Sequence, residues 1–172
     1  MKTRINMPLH QQGSMLLEAL IAILIFSMGI LAMVGLQAAS VKLSSDAKYR
    51  SDASLLANEL IGKMWVSNRT PATLQANFQG GPQTPTVTDG ASYTAWVSDV
   101  AAALPGVTGV AANQPVVTIA VIAPVAPATS TSSQVTITLF WRSPNEAVAS
   151  GALCGVTTHA AAHCYITIAQ II

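Results

Sequence analysis

Apolar residues fill one long run near the N-terminus of the chain and then thin into a helical stripe. From Ala19 to Val41 no side chain is charged, which is enough for a helix of roughly 20 residues that crosses a bilayer core. From Lys42 to about Ser67 the apolar residues recur at steps of three and four, which predicts an amphipathic helix. The members of this stripe are Ala53, Leu56, Ala57, Leu60, Ile61, Met64 and Trp65.

Together the two patterns predict one helix from Ser14 to about Ser67. At about 1.5 Å per residue it would be on the order of 80 Å long. Its first half, residues 14–41, has nothing to pack on within this chain, so we expect it to lie in lipid or against other copies. Gly29 and Gly35 interrupt this half, and either a flexible point or a close-packing helix face would explain them.

The rest of the chain predicts a sheet domain. A Pro-, Gly- and Thr-rich stretch, residues 68–90, indicates a long surface connection, and residues 100–115 indicate a second, irregular one. Runs of β-branched and aromatic residues predict four strands, at "SYTAWVS" from Ser92, Val116–Ile122, Val135–Trp141 and Tyr165–Ile172. The loop at residues 123–134 would join the second and third strands as a hairpin. We therefore predict an α+β fold with a four-stranded antiparallel sheet packed on the amphipathic half of the helix.

Composition changes this picture little, but it excludes some functions. Hydrophobic residues make up 51% of the chain and charged residues only 9%, against about 25% charged residues in a typical soluble domain. The net charge is +1 and no basic stripe is present, so direct nucleic-acid binding is not expected. The flanks of Trp65, Trp96 and Trp141 are apolar, which predicts core positions. No catalytic constellation or phosphate-binding loop stands out, so neither an enzyme nor a cofactor is predicted.

The chain has two cysteines, Cys154 and Cys164, on either side of "GVTTHAAAH". Two close cysteines downstream of a membrane-length segment favour a disulfide formed in an oxidising compartment. The alternative is a metal site in which His159 and His163 join the two thiolates. That spacing is not a familiar zinc pattern, and the thiols would oxidise first, so we predict the disulfide and no metal.

A single acid, Glu18, lies near the start of the apolar run. A charge in such a segment is unfavourable by a few kcal/mol and usually marks a function or a partner. An uncleaved signal anchor would explain the length of the run but not this acid, and a cleaved secretory signal has a shorter apolar core of about 7–15 residues. Cleavage between Gly13 and Ser14 would place a new α-amine one helical turn before Glu18, on the same face. The acid would then have a cation to pair with, either its own amine or that of a neighbouring helix.

These features together resemble a known class of signal. A short leader with Lys2 and Arg4, a glycine at its end, a glutamate at the fifth residue after it and a long apolar helix are similar to the class III signal of type IV prepilins. The continuation to about Trp65, "LLEALIAILIFSMGILAMVGLQAASVKLSSDAKYRSDASLLANELIGKM", resembles minor pilins of the type IV pilus modification (PilV-like) family. Ser14 replaces the phenylalanine of many pilins. Gly35 stands near a proline of major pilins, so the chain looks less like the main filament subunit.

The resemblance implies a processing path and a domain plan. Prepilin peptidase would remove residues 1–13 by cutting after Gly13 and would methylate the amine of Ser14. Residues 14–41 would be the transmembrane and filament-core half of the helix, and residues 42–67 its amphipathic half. Residues 68–172 would form a periplasmic or surface sheet domain of the pilin roll, ending in a disulfide-bounded loop. Glu18 would fix subunit register by pairing with the terminal amine of an adjacent subunit.

By the same resemblance, the chain would be a minor pilin that takes part in pilus assembly or modification, supporting adhesion, twitching motility or DNA uptake. Its partners would be the peptidase, other major and minor pilins and the inner-membrane assembly machinery. It would reside in the bacterial inner membrane before assembly and at the cell surface afterwards. Two alternatives remain open: a minor pseudopilin of a type II secretion system, and a signal-anchored periplasmic binding or sensor protein that keeps residues 1–13.

Overall fold

The first element of the fold is the long helix α1, Gln12–Val66, of 55 residues. The computed structural model describes residues 12–82, 88–124, 131–144 and 146–172, which divide into two compact units with the boundary after Asp46. The predicted helix, Ser14 to about Ser67, is therefore confirmed to within two residues at its start and one at its end. The backbone is helical through both Gly29 and Gly35.

The second unit, from Ala47 onward, contains the hydrophobic core. The helical stripe contributes Ala53, Ala57, Leu60 and Met64, which are all fully buried, while Leu56 and Ile61 pack at its margin. Trp65 does not join them, and its predicted core position is wrong. Its side chain is 42% exposed and lies under the Arg69 guanidinium, with 5.8 Å between the guanidinium carbon and the ring centroid. One position past Met64, the helix face has already turned toward solvent.

A short helix, α2, Pro71–Phe78, lies in the segment for which the sequence predicted only a connection. Pro71 occupies one of its first two positions, where a fixed φ and a missing N–H are tolerated. Leu74 and Phe78, one helical turn apart, are its buried residues. Burial of this pair outweighs the loop-like composition around it, so the prediction of a structureless connection is corrected here.

The first predicted strand is also wrong, because "SYTAWVS" belongs to helix α3, Ala91–Ala103. Its buried residues are Tyr93, Trp96 and Val100, and steps of three and four place them on one helix face. The Tyr93 hydroxyl donates to the Pro115 carbonyl at 2.6 Å. Burial raises the pKa of the Tyr93 phenol well above its usual range, and the Asp89 carboxylate raises it further.

The sheet has three antiparallel strands in the order β1-β2-β3, not four. They are β1, Val116–Ile122, β2, Ser132–Trp141, and β3, His163–Ile171. The β1 strand agrees with its predicted bounds, β2 begins three residues early and β3 two. Val117 pairs with Ile137, and Ile137 with Thr167. The α+β class and the antiparallel hairpin are confirmed, and loss of the first predicted strand to α3 accounts for the difference in strand number.

The two outer edges of the sheet differ. On β1, Gly80 and Val117 exchange backbone hydrogen bonds of 3.2 and 2.9 Å, and the Gln75 amide donates to the Ile119 carbonyl at 2.9 Å. The segment that contains α2 therefore covers the β1 edge. On β3, residues 164–171 pair with β2, and the described part of the chain forms no other backbone ladder with them.

Candidate functional site

The first candidate site is the apolar helix surface, residues 14–41 of α1. One helix in the described ranges is long and apolar enough to cross a membrane, and none of its most apolar window is buried. Large apolar side chains are exposed around its whole circumference, including Leu17 at 62%, Phe26 at 69% and Leu36 at 74%. A helix that is hydrophobic on all sides belongs in lipid or among other helices rather than at a water-facing surface.

Polar groups on this surface are few, and the helix itself satisfies one of them. The Ser27 hydroxyl donates to the Ile23 carbonyl at 2.7 Å. A serine that bonds back to the preceding turn needs no water or external partner. Such a residue is compatible with an apolar environment, where every unsatisfied polar group costs several kcal/mol.

Glu18 is the single ionisable residue of this surface, and it lies where the sequence predicted. Gly13 and Ser14 fall in the first turn of α1, and Glu18 follows one turn later on the same face as Ser14. Its side chain is exposed. Within the described part of the chain, the Glu18 carboxylate makes no hydrogen bond or ion pair. The geometry leaves one carboxylate among apolar side chains and available to a cation from outside the helix.

Gly29 and Gly35 are not explained by packing within the chain. A methyl group built at either position would meet no atom within 4 Å in the described structure. Since the helix continues through both residues, neither is required for a turn. A flexible point and a close approach by another helix both stay predictions for these two glycines.

The second candidate site is the disulfide-bounded loop, residues 154–164. Cys154 and Cys164 form the predicted disulfide, with Cα atoms 6.2 Å apart. This bond excludes the four-ligand metal alternative, because the two sulfurs are joined to each other and cannot act as thiolate ligands. The disulfide attaches Cys164, the second residue of β3, to the loop that precedes the strand.

A tight turn forms the start of this loop. Leu153 and Val156 exchange backbone hydrogen bonds of 2.8 and 3.0 Å. The two residues between them have positive φ, 49° at Cys154 and 79° at Gly155, the pattern of a two-residue primed hairpin turn. A cysteine rarely adopts this conformation, and here the disulfide holds it in place.

A buried asparagine holds the other end of the loop. Asn113, in the 3₁₀ turn Ala111–Asn113, is fully buried. Its amide donates to the Gly106 carbonyl at 2.8 Å, and its side-chain oxygen accepts from the Ala160 N–H at 2.9 Å. This residue was not predicted from the sequence, because no local pattern marks an asparagine that bonds to a segment 47 residues away.

The two histidines of the loop have structural neighbours. A His159 ring nitrogen lies 2.8 Å from the Gly151 carbonyl, and the ring is stacked on Phe140 with 6.5 Å between centroids. His163 lies 2.9 Å from the Glu146 carboxylate and stacks on Trp141. These contacts order the loop against the end of β2.

Removal of the disulfide is expected to destabilise the second unit measurably. The bond closes a loop with a sequence separation of 10, for which loop-closure entropy gives about 2–3 kcal/mol. The double variant Cys154→Ser/Cys164→Ser should lose this amount of unfolding free energy in urea titrations of the full chain in detergent. A reductant should lower the wild-type value similarly and leave the variant unchanged. Equal unfolding free energies of the wild type and the double variant without reductant would contradict this prediction.

No family model, curated protein or solved structure matches the chain.

Proposed function

We propose that this chain is a minor pilin of the type IV pilus, processed by prepilin peptidase and built into the filament with other pilins. One observation carries the proposal: residues 14–41 of α1 expose apolar side chains on every side and include a single carboxylate, Glu18, one turn after the Gly13–Ser14 bond. A plain anchor gains nothing from that acid. A subunit that moves from lipid into a helix-packed assembly gains a pairing group that fixes its register.

In the proposed mechanism, the leader stays in the cytoplasm and the apolar helix surface anchors the precursor in the inner membrane. The α+β unit is exported to the periplasm, where its two cysteines oxidise. Cleavage after Gly13 frees the Ser14 amine, which is then methylated. The mature helix leaves the lipid and packs against other pilins, and Glu18 pairs with the terminal amine of a neighbour.

Processing is tested first by the N-terminal residue and intact mass of the protein recovered from membranes. We expect a chain that begins at methylated Ser14 in cells with prepilin peptidase and at Met1 in cells without it. Gly13→Val should block processing because a bulky residue replaces the glycine before the cut, whereas Gly35→Ala in the same helix should be processed normally.

A chain that begins at Met1 in both strains would contradict the proposal and favour a signal-anchored periplasmic protein. If processing is observed, deletion of the gene separates the two filament systems. Loss of surface pili supports the pilus assignment. Loss of exoprotein secretion with intact pili would instead assign the chain to a type II secretion system.

A further inference from the structure

We propose that two different helix surfaces of the second unit bind each other between two copies of this chain. One surface lies on the C-terminal part of α1 and ends at Arg69, and the other lies on α3 around Asp99. The inference follows from the exposed side chains and charges of the second unit and does not rest on the pilin assignment.

The first surface, the Trp65 surface, consists of Leu55, Gly62, Trp65, Val66 and Arg69. Leu55, Gly62 and Val66 follow one another at steps of seven and four, so they lie on one face of α1. Leu55 is 63% and Val66 is 88% exposed. A methyl group built at Gly62 would meet no atom within 4 Å. The surface therefore has large apolar side chains on both sides of an open glycine, where another backbone can approach closely.

Arg69 lies at the end of this surface with an unpaired charge. Its guanidinium is 5.8 Å from the centroid of the Trp65 ring and, within the described ranges, makes no hydrogen bond or ion pair. All seven acidic residues of the chain lie in those ranges, so no acidic side chain of the same copy pairs with it. A planar cation held on an aromatic ring presents its N–H donors to a carboxylate from outside.

The second surface, the Asp99 surface, is the exposed face of α3, formed by Thr94, Ala95, Ser98, Asp99 and Ala102. Steps of three and four place these small side chains side by side on the helix. The Thr94 hydroxyl donates to the Gly90 carbonyl, and the Ser98 hydroxyl donates to the Ala95 carbonyl. Asp99 is therefore the polar side chain of this surface that has no partner within the described part of the chain.

The two surfaces complement each other in size and in charge. Large side chains around Gly62 face a helix of small ones, and an unpaired guanidinium faces an unpaired carboxylate. Tryptophan and arginine are also the residue types that contribute most to protein interfaces. The other acids of the second unit fit less well, because three have partners within the chain and one is half-buried. The three are Glu59, Asp89 and Glu146, and the half-buried one is Asp52.

The occupant of the Trp65 surface is therefore a second copy of this chain. Both surfaces are exposed on the same unit, so every copy that presents Arg69 also presents Asp99. A second copy thus supplies the small-residue face and the carboxylate together, whereas another protein would have to match both independently.

Photo-cross-linking of the full chain in membranes tests the contact. Benzoylphenylalanine replaces Val66, a large residue that is 88% exposed, so the surface stays apolar and bulky. We expect a product with the mass of two copies, and mass spectrometry should map the new bond to residues 91–103. The same probe at Ile168, which is 61% exposed on β3, should give no product joined to these residues.

Charge exchange locates the contact at Arg69 and Asp99. Arg69→Glu and Asp99→Arg should each reduce the yield of the Val66 cross-link by about tenfold or more, because each brings two like charges together. The double variant Arg69→Glu/Asp99→Arg restores an opposite pair between copies and should recover most of the yield. Arg50→Glu, which reverses another exposed cation of α1, should leave the yield unchanged.

The proposal is overturned if the probe at Val66 gives no dimer, if it captures a protein of a different mass instead, or if the double variant stays as low as the single ones. An equal loss in Arg50→Glu would also contradict it, because a general charge effect would then explain the result. Urea unfolding midpoints of all variants check that they are folded.

Discussion

Replacing Glu18 with alanine is expected to reduce the amount of this subunit in sheared filaments at least tenfold, while the precursor still accumulates in the membrane. In the proposed assembly, loss of the acid would leave the terminal amine of the neighbouring subunit unpaired in an apolar helix bundle. Truncating one member of a buried ion pair costs about 3–5 kcal/mol, and about 1.4 kcal/mol corresponds to a factor of ten. Quantitative immunoblots of filament and membrane fractions measure the ratio.

The matched control is Glu59→Ala, which removes another acid from the same helix. Glu59 is 44% exposed and pairs with Lys63 at 2.6 Å across one turn, an interaction of about 0.3–0.5 kcal/mol. Its loss should leave incorporation unchanged. If Glu18→Ala subunits enter filaments as efficiently as Glu59→Ala subunits, Glu18 does not fix register.

Replacing Trp96 with alanine is expected to destabilise the second unit by about 3–5 kcal/mol, the usual range for a fully buried tryptophan. Trp96 has no exposed surface, belongs to the same buried core cluster as residues of α1 and the sheet, and donates its indole N–H to the Leu56 carbonyl at 3.0 Å. Since domains are stable by about 5–15 kcal/mol, this is a large fraction of the total. Urea unfolding of the full chain, followed by far-UV circular dichroism, measures the change.

Trp65→Ala supplies the comparison, because the same residue type is removed from a more exposed site, near the end of α1. Trp65 contacts the Arg69 guanidinium but is 42% exposed, so its loss should change the unfolding free energy by less than about 1 kcal/mol. Indistinguishable unfolding midpoints for the two variants would show that Trp96 is not the centre of this core.

The elements that could be predicted from sequence are those with long or strict periodicity. The uninterrupted apolar run and the stripe that includes Leu60 and Met64 predicted α1, since local spacing alone determines a long helix. Val116–Ile122 was predicted with its observed bounds, because β-branched residues there are flanked by turn signals. The short separation of the two cysteines predicted the disulfide between them. Gly13, Ser14 and Glu18 were proposed as site residues because their spacing is local, and their roles stay predictions.

The errors arose where tertiary packing decided between two local readings. The aromatic residues Tyr93 and Trp96 raise the strand propensity of their segment. Because they are three residues apart, they also lie on one face of a helix, and burial of that face favours α3. The helix α2 was not predicted, because its two buried residues, Leu74 and Phe78, lie in a segment of loop-like composition. Asn113 has a role that depends on Ala160, far away in sequence, and no local pattern encodes such a contact.

The disulfide-bounded loop is held at both ends, so the exposed residues between the two ends can vary. The turn at Cys154 and Gly155 holds one end, and Asn113 holds the other through Ala160. Between them, Thr157 and Thr158 are exposed. Residues at these two positions can change identity, and short insertions can enter between them, without loss of core contacts. The loop is therefore suited to sequence variation and to carrying an inserted epitope tag.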